Sequence, residues 1–365
     1  MQMRTIMTTL SKNKIVLGLS GGVDSTTAAL LLKDQGFEVI GFYFDVMGDN
    51  ADGKRAAEEL AEKMEIPLHI MDVSEEFSKS VIDNFCSQYA CGRTPNPCVV
   101  CNPAIKFKKL LEIADRENAY YIATGHYVGV TKDDTSGIYY IQKGSSEKKD
   151  QSYMLYRLGQ QVLSRLILPL ADMKDKDTVR RLARENDMPN AQAADSQEIC
   201  FIDEEKEDYV SFMEARGFAC SKGHFVDAEG KILGEHQGIN RYTVGQRKGL
   251  GIALGKPVFV TKIDKEKNQV VLGDNADLFH TEVVSAENFF TETGCGEIPE
   301  RLLEKQGITA KIRYAAKPAP AVLHKACDGR VVTAFEQPQR AATPGQSIVF
   351  YDGDRVVGGG FIEPY

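Results

Sequence analysis

Two stretches of this sequence bring together residue types suited to chemistry. The first is Ser20-Gly21-Gly22-Val23-Asp24-Ser25, which follows an apolar run from Lys14 to Leu19 and precedes a helix-like segment. Glycines let the backbone turn sharply so that successive N–H groups converge, and the start of the next helix adds the positive end of its dipole. That combination suits a phosphate or pyrophosphate. A plain strand-to-helix turn with Ser20 or Asp24 as N-cap is the structural alternative. A Walker A loop is excluded, because Gly-Lys-Ser/Thr occurs nowhere in the chain. The glycines from Gly249 to Gly255 have neither the spacing nor the following helix of a nicotinamide fingerprint.

The second stretch holds four of the eight cysteines, Cys86, Cys91, Cys98 and Cys101; Cys200, Cys220, Cys295 and Cys327 are scattered downstream. Eight in 365 residues is far below the density of a disulfide scaffold, so free, metal-bound or redox-active thiols are expected. A structural zinc on the crowded four is one reading, although the spacing lacks the paired CxxC of a zinc ribbon. Cys200, inside Ile-Cys-Phe-Ile, reads by itself as a buried structural residue.

These groups need a frame. Lys14–Leu19, Phe37–Phe44 and Pro67–Val73 read as buried strands, with helices over 24–35 and 55–64 between them and Gly36 placed to end the first helix. A further helix over 105–117 leads to a strand over 119–125. Strand–helix alternation implies right-handed crossovers and a parallel sheet covered on both faces, with ligands at the carboxyl ends of its strands. After a short helix around Asp208–Arg216 the rhythm changes to brief alternating runs joined by Asp-Gly and Glu-Gly, which are hairpin signals. The expected fold is therefore α/β: a Rossmann-like domain over 1–205, a small mostly-β domain over 206–283 and an antiparallel barrel-like domain over 284–365.

Lysine and arginine number 44 against 52 acidic residues, a net charge of −8. The global field repels a polyanion, so any RNA surface must be a local patch. Candidates are Lys106, Lys108 and Lys109; Lys148 and Lys149; Arg241, Arg247 and Lys248; and Arg313, Lys317 and Arg340, each of which reads equally as a solvated face. No run approaches the ~20 apolar residues of a membrane span, and a soluble, cytoplasmic protein is expected.

The loop from Ser20 resembles that of the adenine-nucleotide pyrophosphate-loop enzymes, which adenylate a substrate oxygen at the expense of ATP. Thr94-Pro-Asn-Pro-Cys-Val-Val-Cys-Asn102, Asp195-Ser-Gln-Glu-Ile-Cys-Phe-Ile202, Gly125-His126-Tyr127, Lys149-Asp-Gln-Ser-Tyr153, Tyr242–Leu250, Arg313-Tyr314 and Thr343–Gln346 narrow the resemblance to the bacterial tRNA-specific 2-thiouridylases. The resemblance implies ATP-dependent sulfur transfer to C2 of the wobble uridine through an adenylated base and a cysteine persulfide. It implies that Cys200 carries the persulfide and that Cys101 is the second thiol, which releases the sulfur or closes a disulfide. Such a pair suits the chemistry, since one thiol must be charged and attack while another reduces the spent linkage.

By the same resemblance Gly18, Leu19, Ser20, Gly21, Gly22, Val23, Asp24, Ser25, Phe44 and Gly125 bind ATP. Asn96, Pro97, Cys98, His126, Lys149, Asp150, Gln151, Arg313, Tyr314 and Gln346 meet the tRNA. An unpaired anticodon base is a cheap one to extrude. Mg²⁺ is expected as charge neutraliser for the phosphates, and a persulfide donor protein, a cysteine desulfurase or a relay protein, as partner. The family usually carries Asp where this chain has Cys98, which puts an acid–base role there in doubt. Cys98, Cys101 and Cys200 also match the three-thiolate set with which related tRNA-thiolating enzymes hold an iron–sulfur cluster. Persulfide chemistry without a cluster is the reading adopted, ahead of a cluster and then of zinc. A small-molecule synthetase with the same loop, which would not need Cys200, and a non-catalytic RNA-binding protein are the rival readings.

Overall fold

Ile15, Val16 and Leu17 are fully buried, as they must be in a strand with neighbours on both edges and helices on both faces. This strand, β1 (Ser11–Gly18), lies at the centre of a five-stranded sheet in a computed structural model that describes residues 10–192, 199–203 and 206–364. The sheet order is β3-β2-β1-β4-β7, with β2 at Glu38–Asp45, β3 at Leu68–Asp72, β4 at Ala119–Ala123 and β7 at Leu166–Ile167. All four pairings are parallel. The hairpin β5–β6 (Val128–Lys132, Tyr139–Lys143) intervenes in the chain between β4 and β7. The Rossmann-like expectation is met, and β1 turns out to be where the strand order reverses.

Helix α1 (Val23–Asp34) is buried over most of its circumference, including Thr26, Thr27, Ala28, Ala29 and Leu32. It ends as its sequence predicts: Gly36 takes φ +86°, and the N–H groups of Gly36 and Phe37 donate back to Lys33 and Leu32 carbonyls. Helix α2 (Ala51–Lys63) buries only Ala57, Leu60 and Ala61, the one stripe its spacing allows.

The chain packs as two units, Met1–Ser78 with Cys101–Ser196, and Lys79–Val100 with Gln197–Tyr365. Thus residues 79–100, expected within the first domain, pack with the second unit. The cause is aromatic: in helix Asp83–Ala90, Phe85 meets Phe201 edge-on at 5.3 Å between ring centroids and Tyr89 lies 4.9 Å from Tyr209.

The second unit holds two sheets. The smaller runs β10-β11-β8-β9, from β8 (Gly223–Val226), β9 (Ile232–His236), β10 (Phe259–Asp264) and β11 (Gln269–Gly273), with β8 and β11 parallel and the other pairs antiparallel. The larger closes into a six-stranded antiparallel barrel: β12 (Phe279–Phe290), β15 (Val331–Arg340), β14 (Ala319–Lys325), β13 (Ile308–Lys311), β16 (Ser347–Asp352) and β17 (Arg355–Ile362), with β17 returning to β12. Strand β12 serves both seams by bending at a bulge where Glu287 adopts φ +46°. Gly358 lies so close to the bend that a Cβ there would stand 2.6 Å from the Phe289 carbonyl oxygen. The division expected between 283 and 284 falls inside β12, because nothing in its composition marks that a single strand crosses it. Among the described residues no helix is long and apolar enough to cross a membrane.

Candidate active site

Strand β1 ends at Gly18, and the chain turns into α1 through Ser20–Ser25 at the carboxyl edge of the sheet. Gly21 takes φ +82°, a conformation side chains rarely adopt, and a Cβ there would also press on Ala56 at 3.3 Å. Ser25 closes the loop on itself. Its hydroxyl donates to the Gly22 carbonyl at 2.9 Å, accepts from the Ser20 N–H at 3.2 Å and lies 3.3 Å from the Ser20 hydroxyl. No side chain caps α1, so its first amides are not spent on a local N-cap.

From the end of β4, Gly125 comes against the start of α1. A Cβ on it would lie 2.8 Å from the Asp24 carbonyl carbon and 2.9 Å from the Ser25 nitrogen. From β2, the half-buried Phe44 ring sits over Gly18, whose absent Cβ would touch it at 3.4 Å. The structure thus brings together the loop, Phe44 and Gly125 around the point where the strand order reverses, the place where open α/β sheets receive ligands.

Three residues with no role assigned from sequence hold this loop. Tyr127 donates its hydroxyl to Asp24 Oδ1 at 2.6 Å, Lys176 donates to Asp24 Oδ2 at 3.2 Å, and Asn190 Nδ2 donates to the Gly21 carbonyl at 2.7 Å and to the Thr26 hydroxyl at 2.8 Å. Tyr127 was visible as part of a motif without a role. Nothing local marks Lys176 or Asn190, since their partners are 152 and 169 residues away.

In the second unit, the stretch from Arg93 to Cys98 forms a strap fixed to the barrel end. Gln346 Nε2 donates to the Thr94 carbonyl at 2.9 Å and to that of Pro95 at 3.3 Å; the Thr94 N–H donates to the Pro344 carbonyl, and Arg93 pairs with Glu363 at 2.7 Å. Asn96 Oδ1 then accepts the Cys98 N–H at 3.1 Å, starting the short helix Pro97–Cys101 that carries both cysteines of the CxxC. Cys98 and Cys101 are half-exposed, whereas Cys86 is buried and its thiol pushed up to about 11 by that burial.

Cys200 is exposed, contrary to the buried reading of its apolar neighbours. Phe201 and Ile202 take the interior positions instead, Phe201 packing on Phe85 and Phe212, and so present Cys200 outward. Asp195–Glu198, the start of that motif, lie outside the described residues. None of the eight cysteines is in a disulfide. Among the described residues no three His, Cys, Asp or Glu side chains come together as metal ligands.

Comparison with known proteins matches three family models in order along the chain: a tRNA methyl transferase HUP domain over 13–204, a tRNA methyl transferase PRC-barrel domain over 212–274 and an aminomethyltransferase β-barrel domain over 295–362. The chain is 44% identical over 368 residues to the tRNA-specific 2-thiouridylase MnmA of Acetivibrio thermocellus, covering 97% of this chain and 100% of that one. It is also 44% identical over 364 residues to the protein of the same name from Clostridium acetobutylicum, with 96% and 99% covered. The chain belongs to the tRNA-specific 2-thiouridylase family.

In this 2-thiouridylase chain the residues expected at the tRNA fall into distinct settings. Arg313 is exposed and Tyr314 half-buried, with the buried Lys311 ammonium 5.5 Å from the Tyr314 ring. Lys149 is half-exposed, but Asp150 is buried and accepts from Gly144 N–H, Ser152 N–H and the Ser152 hydroxyl. Gln151 accepts the Tyr127 N–H at 2.9 Å and so braces the loop after β4. His126 stacks on Phe107 at 6.0 Å and lies 2.6 Å from the Thr124 hydroxyl. Burial, helped by the nearby Lys106 charge, holds its imidazole well below the usual range, so it is neutral at pH 7. Of the basic patches, Lys109 is buried between Glu76 and Glu112, Arg241 pairs with Glu214, and Arg340 bonds Asn275; Lys108, Lys148, Arg247, Lys248 and Lys317 remain exposed.

Proposed function

We propose that the chain is an ATP-dependent tRNA sulfurtransferase of the cytoplasm that converts the wobble uridine to 2-thiouridine. ATP binds with its phosphates on Gly18–Ser25, Phe44 against the adenine and Gly125 backing the loop. The uridine O2 attacks the α-phosphorus, and pyrophosphate leaves on the converging amides of the loop. The outer sulfur of a Cys200 persulfide, charged by a donor protein, then attacks C2 and expels AMP. The sulfur on C2 is then still bonded to the Cys200 sulfur; Cys101, the second thiol, attacks the Cys200 sulfur, a disulfide between the two cysteines forms, and the S–S bond to the thiouridine breaks.

The single observation that supports this reading best is the loop itself: a left-handed Gly21 and a side-chain-free Gly125 shape a bed suited to phosphate. Each unit also carries an accessible thiol, the exposed Cys200 and the half-exposed Cys101. Asn96, Pro97, Cys98, His126, Lys149, Gln151, Arg313, Tyr314 and Gln346 are assigned to tRNA binding, with Gln151 and Gln346 acting by bracing main chain. Asp150, turned inward, is assigned a positioning role. When bound with ATP, Mg²⁺ would neutralise charge on the triphosphate. Asp24 is the carboxylate of the loop, and each of its oxygens accepts a hydrogen bond, from Tyr127 and from Lys176. The domain division at 205 and 283 is kept as a division of labour between nucleotide and RNA binding, not of packing.

The test is an anaerobic assay with tRNA, ATP and a ³⁵S-persulfide donor. Cys200→Ser is expected to abolish 2-thiouridine while tRNA-dependent pyrophosphate release persists. Label on 2-thiouridine formed by Cys200→Ser, or pyrophosphate release indifferent to tRNA, would overturn the assignment.

A further inference from the structure

Outside the site described above, one cluster of nucleophilic and charged groups stands in the second unit. Cys91 caps the carboxyl end of helix Asp83–Ala90, and the Lys265 ammonium, from the turn between β10 and β11, donates to its sulfur at 3.2 Å. Gly92 fits this corner only because it lacks a side chain: a Cβ would stand 2.4 Å from the Ile263 side chain. Cys91 opens on a cleft of about 570 Å³ shared with Asp264 and Lys267, so small solutes reach it. A thiolate at the carboxyl end of a helix has the dipole against it, which leaves Lys265 as the group that favours the charged sulfur.

A second thiol shares this corner: Cys220 packs against the apolar cluster of Ile239 and Ile263, the two side chains that Gly92 also abuts. Cys220 is half-buried, pushed up first by burial, with an Asn240 main-chain hydrogen bond opposing and the neighbouring Cys91 adding to the shift. Asn240 itself is 1% exposed, and among the described residues neither its Oδ1 nor its Nδ2 has a partner. Cys86, on the same helix as Cys91, shows the contrasting case of a buried thiol that burial keeps protonated.

We propose that Cys91 is a further reactive thiol of this protein, a site of hydroperoxide oxidation whose sulfenic acid is captured by Cys220. The Cys91 thiolate attacks the terminal oxygen of the peroxide, the O–O bond breaks, and hydroxide leaves, giving the sulfenic acid. The Cys220 sulfur then attacks the Cys91 sulfur, the S–S bond forms, the S–O bond breaks and water leaves with the Cys220 proton. The peroxide is reduced by two electrons and the two thiols are oxidised by two. Because Cys91–Gly92 leads straight into the strap, the cross-link would sit at the strap's root.

The experiment uses the full-length reduced protein at pH 7 with limiting hydrogen peroxide and dimedone, read by peptide mass spectrometry. The exposed Cys295 and Cys327 serve as internal references. The proposal expects Cys91 to be labelled about tenfold faster than either, because of these three thiols only Cys91 has an ammonium donating to its sulfur among the described residues. Lys265→Met should remove that advantage and Lys265→Arg restore it. The unsubstituted protein should yield a Cys91–Cys220 linked peptide, and Cys220→Ser should instead accumulate the Cys91 adduct. Equal labelling of Cys91 and the references, indifference to Lys265→Met, or absence of the linked peptide would overturn it. These readouts are of the thiols alone and stand whether or not the sulfurtransferase reading does.

Discussion

The phosphate loop and the cysteine strap are both irregular backbone, yet they are held by different means. The loop is fixed largely by side chains acting on side chains, with Tyr127 and Lys176 on Asp24, joined by Asn190 on the Gly21 carbonyl and Thr26. The strap is fixed largely through its own main chain, by Gln346 on two carbonyls and by Pro344 on the Thr94 N–H. The difference teaches where specificity can vary. In the loop the anchored carboxylate belongs to the proposed ATP site, and on that reading chemistry and scaffold change together. Across the strap, main-chain fixing leaves the identity of a residue such as Cys98 open to change without loss of geometry.

The sharpest way to break this comparison is Gly125→Ala. Its Cβ meets backbone of Asp24 and Ser25 rather than a movable side chain, so the loop itself must shift. Activity should fall about 100-fold, the scale of a misplacement of about 1 Å, with the loss in ATP affinity by calorimetry and tRNA binding unchanged. Gln346→Ala should show the reverse pattern: stability lower by about 1–2 kcal/mol in urea melts, thiolation reduced and ATP affinity intact. If Gln346→Ala weakened ATP binding as much as tRNA-dependent turnover, the two regions would not be separable.

Lys176→Met should raise KM for ATP about fivefold, about 1 kcal/mol, because Tyr127 still holds the other Asp24 oxygen. The smallest effect belongs to His126 near neutral pH. Its folded-state pKa lies below that of the unfolded chain, so its contribution to stability is complete above about 6.5 and is lost as pH falls below that value. An NMR titration should find its ring signals unmoved from pH 8 to 6. Movement centred near 6.5 would show that packing on Phe107 does not hold the ring neutral.

Much of this was legible in the chain. Apolar strand runs, Gly36 as helix terminator and the Ser-Gly-Gly turn are local signals, and each lies where its residues predict. What could not be read was contact between distant residues. Lys176 and Asn190 carry no periodicity or motif, since a hydrogen bond made across the fold leaves no trace in its neighbours. The grouping of 79–100 with the second unit depends on Phe85 and Tyr89 finding Phe201 and Tyr209, which are ordinary aromatics until the chain is folded. Cys200 misled for a related reason: of the apolar tetrapeptide around it only Phe201 and Ile202 are buried, and they leave Cys200 exposed.

The distance along the chain between the loop and its anchors also bears on biosynthesis. A nascent chain that has left the ribosome only as far as β4 already holds the glycine turn and its partner strands, but neither Lys176 nor Asn190. The loop's anchors are therefore complete only once residue 190 itself has left the ribosome, late in the synthesis of the first unit.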